Sequence, residues 1–103
     1  MRRKAVKFLA LALSTAAFGI GAATTAHAGD YLQDGVRIRA TPYTSDTRVN
    51  GLGYKSQTIT PICFTEGTTV DNWKYWTKHK NNNTGVVGYS SETLLAKWAS
   101  THC

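Results

Sequence analysis

The chain has 103 residues, 42% hydrophobic and 17% charged, with a formal net charge of +6 and two cysteines. That length leaves room for one small domain and none for a two-domain enzyme. The charge is unevenly divided: residues 1–28 hold Arg2, Arg3, Lys4 and Lys7 and no acid, whereas residues 29–103 hold eight Lys/Arg against six Asp/Glu and net only +2. Such a balance is weak for a phosphate-binding surface, so nucleic acid is not an expected partner.

The first 28 residues read as an address. A basic stretch over 1–7 is followed by an apolar stretch from Phe8 that continues with small residues to Ile20. Ala26-His27-Ala28 then places small side chains at the two positions a signal peptidase reads. This is the three-part secretory pattern, with Gly29 as the expected mature N-terminus. The strongly apolar core is shorter than a membrane span, and Ser14, Thr15, Gly19 and Gly21 dilute it. Arg2-Arg3 fits an ordinary basic leader, so general secretion is expected rather than twin-arginine export. The mature chain, 29–103, is expected outside the cytoplasmic membrane as a monomer, free of the membrane once the leader is cut.

Thr, Val, Ile and aromatics make up 29 of the 75 residues from Gly29 onward, and Ala only three. That composition favours strands. Val36-Arg37-Ile38-Arg39 alternates apolar and charged, a half-buried strand with Val36 and Ile38 inward. It ends at Thr41-Pro42, and residues 41–48 form a polar loop around one aromatic, Tyr43. Residues 49–54 contain Gly51 and Gly53 and predict a bent or bulged strand. Residues 57–64 predict a better strand, interrupted by Pro61 at an edge or bulge, and 65–68 a turn.

Residues 72–80 predict a strand with Trp73, Tyr75, Thr77 and His79 on one face and Lys74, Trp76, Lys78 and Lys80 on the other. Residues 81–85 read as a polar hairpin tip and 86–89 as the returning strand. Ser90-Ser91-Glu92-Thr93 before Leu94-Leu95 reads as one helical turn with a Ser cap. Five short strands with a turn about every ten residues imply a small all-β barrel.

The cysteines are Cys63 and Cys103. In an oxidising compartment two thiols in a small domain pair, and only one intramolecular pairing exists. The alternative is a nucleophilic Cys63 with His79 or His102 as base, which needs an electropositive cleft and a turn of a kind this strand-like run does not offer. Zinc lacks its usual spacings: there is no Cys-x-x-Cys and no His-x-x-x-His. Asp30, Asp34, Asp46, Glu66, Asp71 and Glu92 are scattered, and no Ser-His-Asp order has a supporting motif. The chain is therefore not expected to be an enzyme, and no metal or cofactor is expected.

These residues resemble bacterial SH3 domains, in particular the short secreted single-domain kind. The usual opening, Gly-hydrophobic-x-hydrophobic-Arg, two residues and Pro, is met by Gly35-Val36-Arg37-Ile38-Arg39-Ala40-Thr41-Pro42. Val49 and Gly51 stand where the second strand begins, and Trp76 where a Trp precedes the hairpin. The usual close, Gly-aromatic-Val-Ser-x-x-Tyr-Leu, is matched in spacing by the residues from Gly88 to Leu95, with Ser90 for Val and Leu94 for Tyr; Gly85-Val86-Val87 is a rival start for this motif. A Cys in the third strand with one at the chain end is similar to a secreted subgroup. The resemblance implies an SH3-like barrel of five to seven strands and a binding role. Many relatives hold a hydrolase on peptidoglycan by gripping its peptides.

On that reading Tyr43, Trp73, Trp76 and Tyr89 are the ligand-binding candidates, gathered between the first long loop and the hairpin. A small barrel also needs its largest side chains for the core, so one of Trp73 and Trp76 is expected buried and the other exposed. Lys74, Lys78 and Lys80, with His79 nearby, form a cationic strip, either a solvated strand edge or an attractor of anionic polymers and peptide carboxylates. The expected function is recognition of the peptide part of cell-wall peptidoglycan by a secreted, wall-associated module. The alternative is interaction with another extracellular protein.

Overall fold

The alternation at 36–39 becomes strand β1, Val36–Arg39, with Val36 and Ile38 buried and Arg37 exposed. The computed structural model describes residues 29–103; the leader read at 1–28 lies outside the described residues. Four more strands follow: β2 Val49–Gly53, β3 Ile59–Val70, β4 Trp73–Asn81 and β5 Val87–Ser91. All pair antiparallel in one sheet of order β2-β1-β5-β4-β3. The all-β, five-stranded reading is correct. The sheet's hydrogen bonding does not close on itself: β2 and β3 are its two edges. Among the described residues no helix is long and apolar enough to cross a membrane.

A helical turn near the C-terminus is present as a 3-10 turn, Glu92–Leu94, where the Ser91 hydroxyl accepts from the Thr93 N–H. The last strand contains Gly88, not Gly85. Gly88 is buried in β5, where a Cβ would meet the Arg39 carbonyl at 2.5 Å, while Gly85 sits in the preceding turn at φ +81°. The expected turn at 65–68 is absent. β3 runs through it with an irregular register between Glu66 and Val70, and the chain reverses at Asp71-Asn72 instead. Both residues have positive φ, 52° and 65°, which a two-residue turn needs to match the twist of the flanking strands. Asp and Asn tolerate that conformation better than other side chains.

The apolar core is small: Tyr31, Val36, Ile38, Ile59 and Leu95, with Val86, Leu94 and Trp98 packed against it. Each such side chain contributes about 1.5–3 kcal/mol when fully buried. Gly53 is required here, because a Cβ would fall 2.2 Å from the Tyr31 ring. Beside this core lies a buried polar layer from β4 and β5: Thr77, His79, Asn81, Ser90 and Ser91, continued by Glu92. Each member has a partner. The Glu92 carboxylate accepts from Thr77 Oγ1 at 2.7 Å and from Trp73 Nε1 at 3.0 Å. Asn81 accepts from the Asn83 and Thr84 N–H groups and so shapes the hairpin tip.

His79 Nδ1 lies 3.0 Å from the Thr77 carbonyl, which only accepts, so Nδ1 carries the proton. Nε2 then accepts from the Tyr31 hydroxyl at 3.0 Å. The ring is neutral in this arrangement, and burial lowers its pKa further. Burial also pushes the Tyr31 phenol up to about 12, so it remains a donor.

The C-terminal segment is laid back across β4 and β3. Trp98 Nε1 donates to the Glu92 and Leu95 carbonyls, and its ring packs on Trp73. His102 forms a parallel bridge with Phe64, and the Cys63–Cys103 disulfide closes the segment. Pairing thus excludes the nucleophilic reading of Cys63.

This packing makes stability depend first on redox state and second on pH. The disulfide joins residues 40 apart, and a loop of that size is assigned about 4 kcal/mol by chain entropy. Reduction, or Cys63→Ser with Cys103→Ser, is expected to lower Tm by roughly 10 °C or more; an unmoved melting curve contradicts this. The second concerns pH. The unfolded chain protonates His79 near its ordinary value of 6.5, and the folded chain only below it. Stability present at neutral pH is therefore lost as pH falls below about 6.5. Denaturant melts at pH 7 and 5.5 are expected to show a smaller acid loss in His79→Gln than in the parent; an equal loss contradicts the assignment.

Candidate binding site

Strand pairing decides which side chains share a face. Arg39, Tyr89 and Lys78 stand opposite one another across β1, β5 and β4, and Trp76 stands opposite Ser91. By alternation Arg37 and Lys80 join them. Among the described residues only one acid lies within a strand. It is Glu66, opposite Tyr75 on the other face, where His102 at 2.9 Å holds its carboxyl below the usual range. The face bearing Arg37, Arg39, Lys78 and Lys80 thus has cations and no strand carboxylate.

A cleft of about 150 Å³ opens on this face. Buried Trp76 and Ser91 lie against it, and Val36, whose side chain belongs to the core, borders it from β1. Val70 and Leu94, half-buried, flank them, and Gln33, Arg37, Arg39 and Thr44 reach it from the more exposed side. Two features build the cleft. The first is the loop at 41–48, fixed by Asp46. Its carboxylate accepts from Thr41 Oγ1, from the Arg48 N–H and from the Arg48 guanidinium, which holds the carboxyl far below the usual range. Its carbonyl accepts from Arg39 Nη1 at 3.2 Å. The second is the seating of this loop on β3. Thr68 N–H donates to the Pro42 carbonyl at 3.0 Å, and Trp76 Nε1 donates to the Thr68 carbonyl at 2.8 Å. A Cβ on Gly67 would fall 2.0 Å from the Pro42 oxygen, so only glycine permits this approach.

The four aromatic candidates do not line a single groove. Trp76 is buried and lines the cleft. Tyr89 shares its face, half-buried, with Lys78 Nζ 5.9 Å above its ring. Tyr43 is exposed in the loop, next to the cleft residue Thr44. Trp73 is half-buried on the opposite face, against Tyr75 and Trp98 and bonded to Glu92. The division of Trp73 and Trp76 into one exposed and one buried is thus softened, since Trp73 is half-covered.

The cationic strip is also redrawn. His79 belongs to the core and is neutral, and Lys74 Nζ lies 5.6 Å over the Tyr75 ring. Lys78 and Lys80 remain, and the two arginines join them. Those arginines were missed as site residues, although their alternation in β1 already set both on one face. Among the described residues no group of three or more His, Cys, Asp or Glu could hold a metal ion. No protein-family model matches the chain, and no curated protein matches it.

The seating of the loop gives a direct check. Gly67→Ala is expected to push residues 41–48 off β3, destabilise by about 1–3 kcal/mol as overpacking does, and red-shift the tryptophan emission as Trp76 becomes wet. An unchanged spectrum with unchanged stability contradicts this geometry.

Proposed function

We propose that the chain is a non-enzymatic binding module of SH3-like fold that works outside the cytoplasmic membrane and recognises the peptide part of cell-wall peptidoglycan. The observation that carries this reading is the cleft. It is open to solvent, has an apolar floor around Trp76, and is edged by two arginines on β1. That combination takes a small apolar group beside a polar or anionic one, as peptides present. The SH3-like reading is supported by the five short antiparallel strands, the long loop after β1 and the 3-10 turn after β5. Location outside the cytoplasm is supported by the disulfide and by the leader pattern.

A second reading, docking to another extracellular protein, is favoured by a different place in the fold. β2 is an edge strand, and Val49, Leu52 and the adjoining Tyr54 are exposed along it. An edge with exposed apolar side chains and no charged residue within the strand is suited to pairing with a partner strand.

Co-sedimentation with insoluble peptidoglycan separates the two. The wall reading expects the protein in the pellet at low and moderate salt. Protein wholly in the supernatant at both would overturn it and leave the edge-strand reading.

A further inference from the structure

Arg37 and Arg39 stand two apart on β1 and both line the cleft. Arg39 is oriented from behind, because its Nη1 donates to the Asp46 carbonyl while the Asp46 carboxylate is taken up by Thr41 and Arg48. The remaining N–H groups of Arg39 are left for a ligand. The Arg37 side chain is exposed and has no hydrogen-bond or ionic partner among the described residues. No Asp or Glu lines the cleft, and Lys78 and Lys80 extend the positive charge along the same face. Two guanidiniums without a carboxylate, at a cleft whose other lining residues are apolar or uncharged, are an arrangement suited to an anion.

The size of the cleft narrows the choice. A volume of about 150 Å³ is on the order of the space that admits one benzene-sized group. The strands beneath it, β1, β5 and β4, are interior strands of the sheet. β5 and β4 are paired along their length, so a ligand lying across this face is held chiefly by side chains. A long peptide strand would find no open strand edge here. A single terminal residue needs none.

We propose that the cleft binds the C-terminal residue of a peptide, with its small apolar side chain against Trp76, Val70 and Leu94 and its free α-carboxylate on Arg37 and Arg39. This rests on the wall-peptide reading above and sharpens it: the module would recognise peptide ends that are not cross-linked, since a cross-link consumes the terminal carboxylate or buries the end. Lys78 and Lys80 serve only to draw an anionic end to the face.

The test has two arms. In the first, N-acetyl-alanyl-alanine with a free C-terminus, in each stereoisomer, and the matching C-terminal amides are titrated into the purified protein by calorimetry. The acid form of at least one isomer is expected to bind and its amide to bind at least about tenfold more weakly. Arg37→Gln is expected to lose about the same factor, and Arg37→Lys, which keeps the charge without the fork, to lie between. Arg37 is exposed, so these variants are expected to melt with the parent. Equal binding of acid and amide, no binding of any form, or full binding by Arg37→Gln would each overturn the carboxylate assignment. So would a polyphosphate that competes while the peptide acids do not.

The second arm is sedimentation of the parent and Arg37→Gln with peptidoglycan. If both pellet equally, wall recognition stands and the carboxylate site is wrong. If neither pellets while the peptide acid still binds in the first arm, the site stands and the wall is not the source of its ligand.

Discussion

The functional face depends on one close approach. At Gly67 strand β3 comes so near to the loop after β1 that no side chain fits between them. That contact lets the Pro42 carbonyl accept from Thr68, lets Thr68 in turn accept from Trp76, and roofs a tryptophan on the side of the sheet away from the main core. Without it the loop would stand off the sheet and Trp76 would be exposed. With it the second face acquires a walled depression. Asp46 performs the complementary task inside the loop, fixing its own shape and the angle of Arg39.

The rest of the molecule keeps this face rigid with few apolar atoms. Five side chains form the fully buried apolar cluster. Domains of this size seldom hold together on such a core alone. The deficit is offset by a buried polar layer in which Thr77, His79, Asn81 and Glu92 are tied to partners on other segments, and by a tail joined covalently to β3. Glu92 links three places at once: β4 through Thr77, the start of β4 through Trp73, and the tail through its carbonyl and Trp98. Buried polar groups are costly when any member is left unpaired, so this layer also fixes the register of β4 against β5.

Much of this architecture was legible in the sequence. The alternation at 36–39 gave β1 its face, the Asn-rich tip and Ser-Ser-Glu-Thr gave the last hairpin and the 3-10 turn, and two cysteines behind a leader-like pattern pointed to the disulfide. The illegible parts have physical causes. Glu66-Gly67-Thr68 has turn composition, but its glycine serves a close approach, and the reversal was left to Asp71-Asn72, whose positive φ angles only the tertiary fold requires. Alternation along 72–80 assigned faces correctly but not burial, because β4 is covered on both sides: by Tyr31, Glu92 and Trp98 on one, and by the 41–48 loop seated at Gly67 on the other. His79 therefore reads as part of a basic strip although it is neutral and enclosed. The candidate site was half visible. Its tryptophan was named, while its arginines passed as the outward half of an amphipathic strand, since only the pairing of β1 with β5 shows what they stand beside.

Both faces of the sheet carry aromatics, and only one of them is assigned to the ligand. Backbone and indole N–H chemical shifts recorded with soluble peptidoglycan fragments address this directly. The account predicts perturbations gathered on Arg37, Arg39, Thr44, Ser91 and the Trp76 indole, with Trp73 and Trp98 unmoved. Perturbations gathered on Trp73, Tyr75 and Trp98, with the cleft silent, would contradict it.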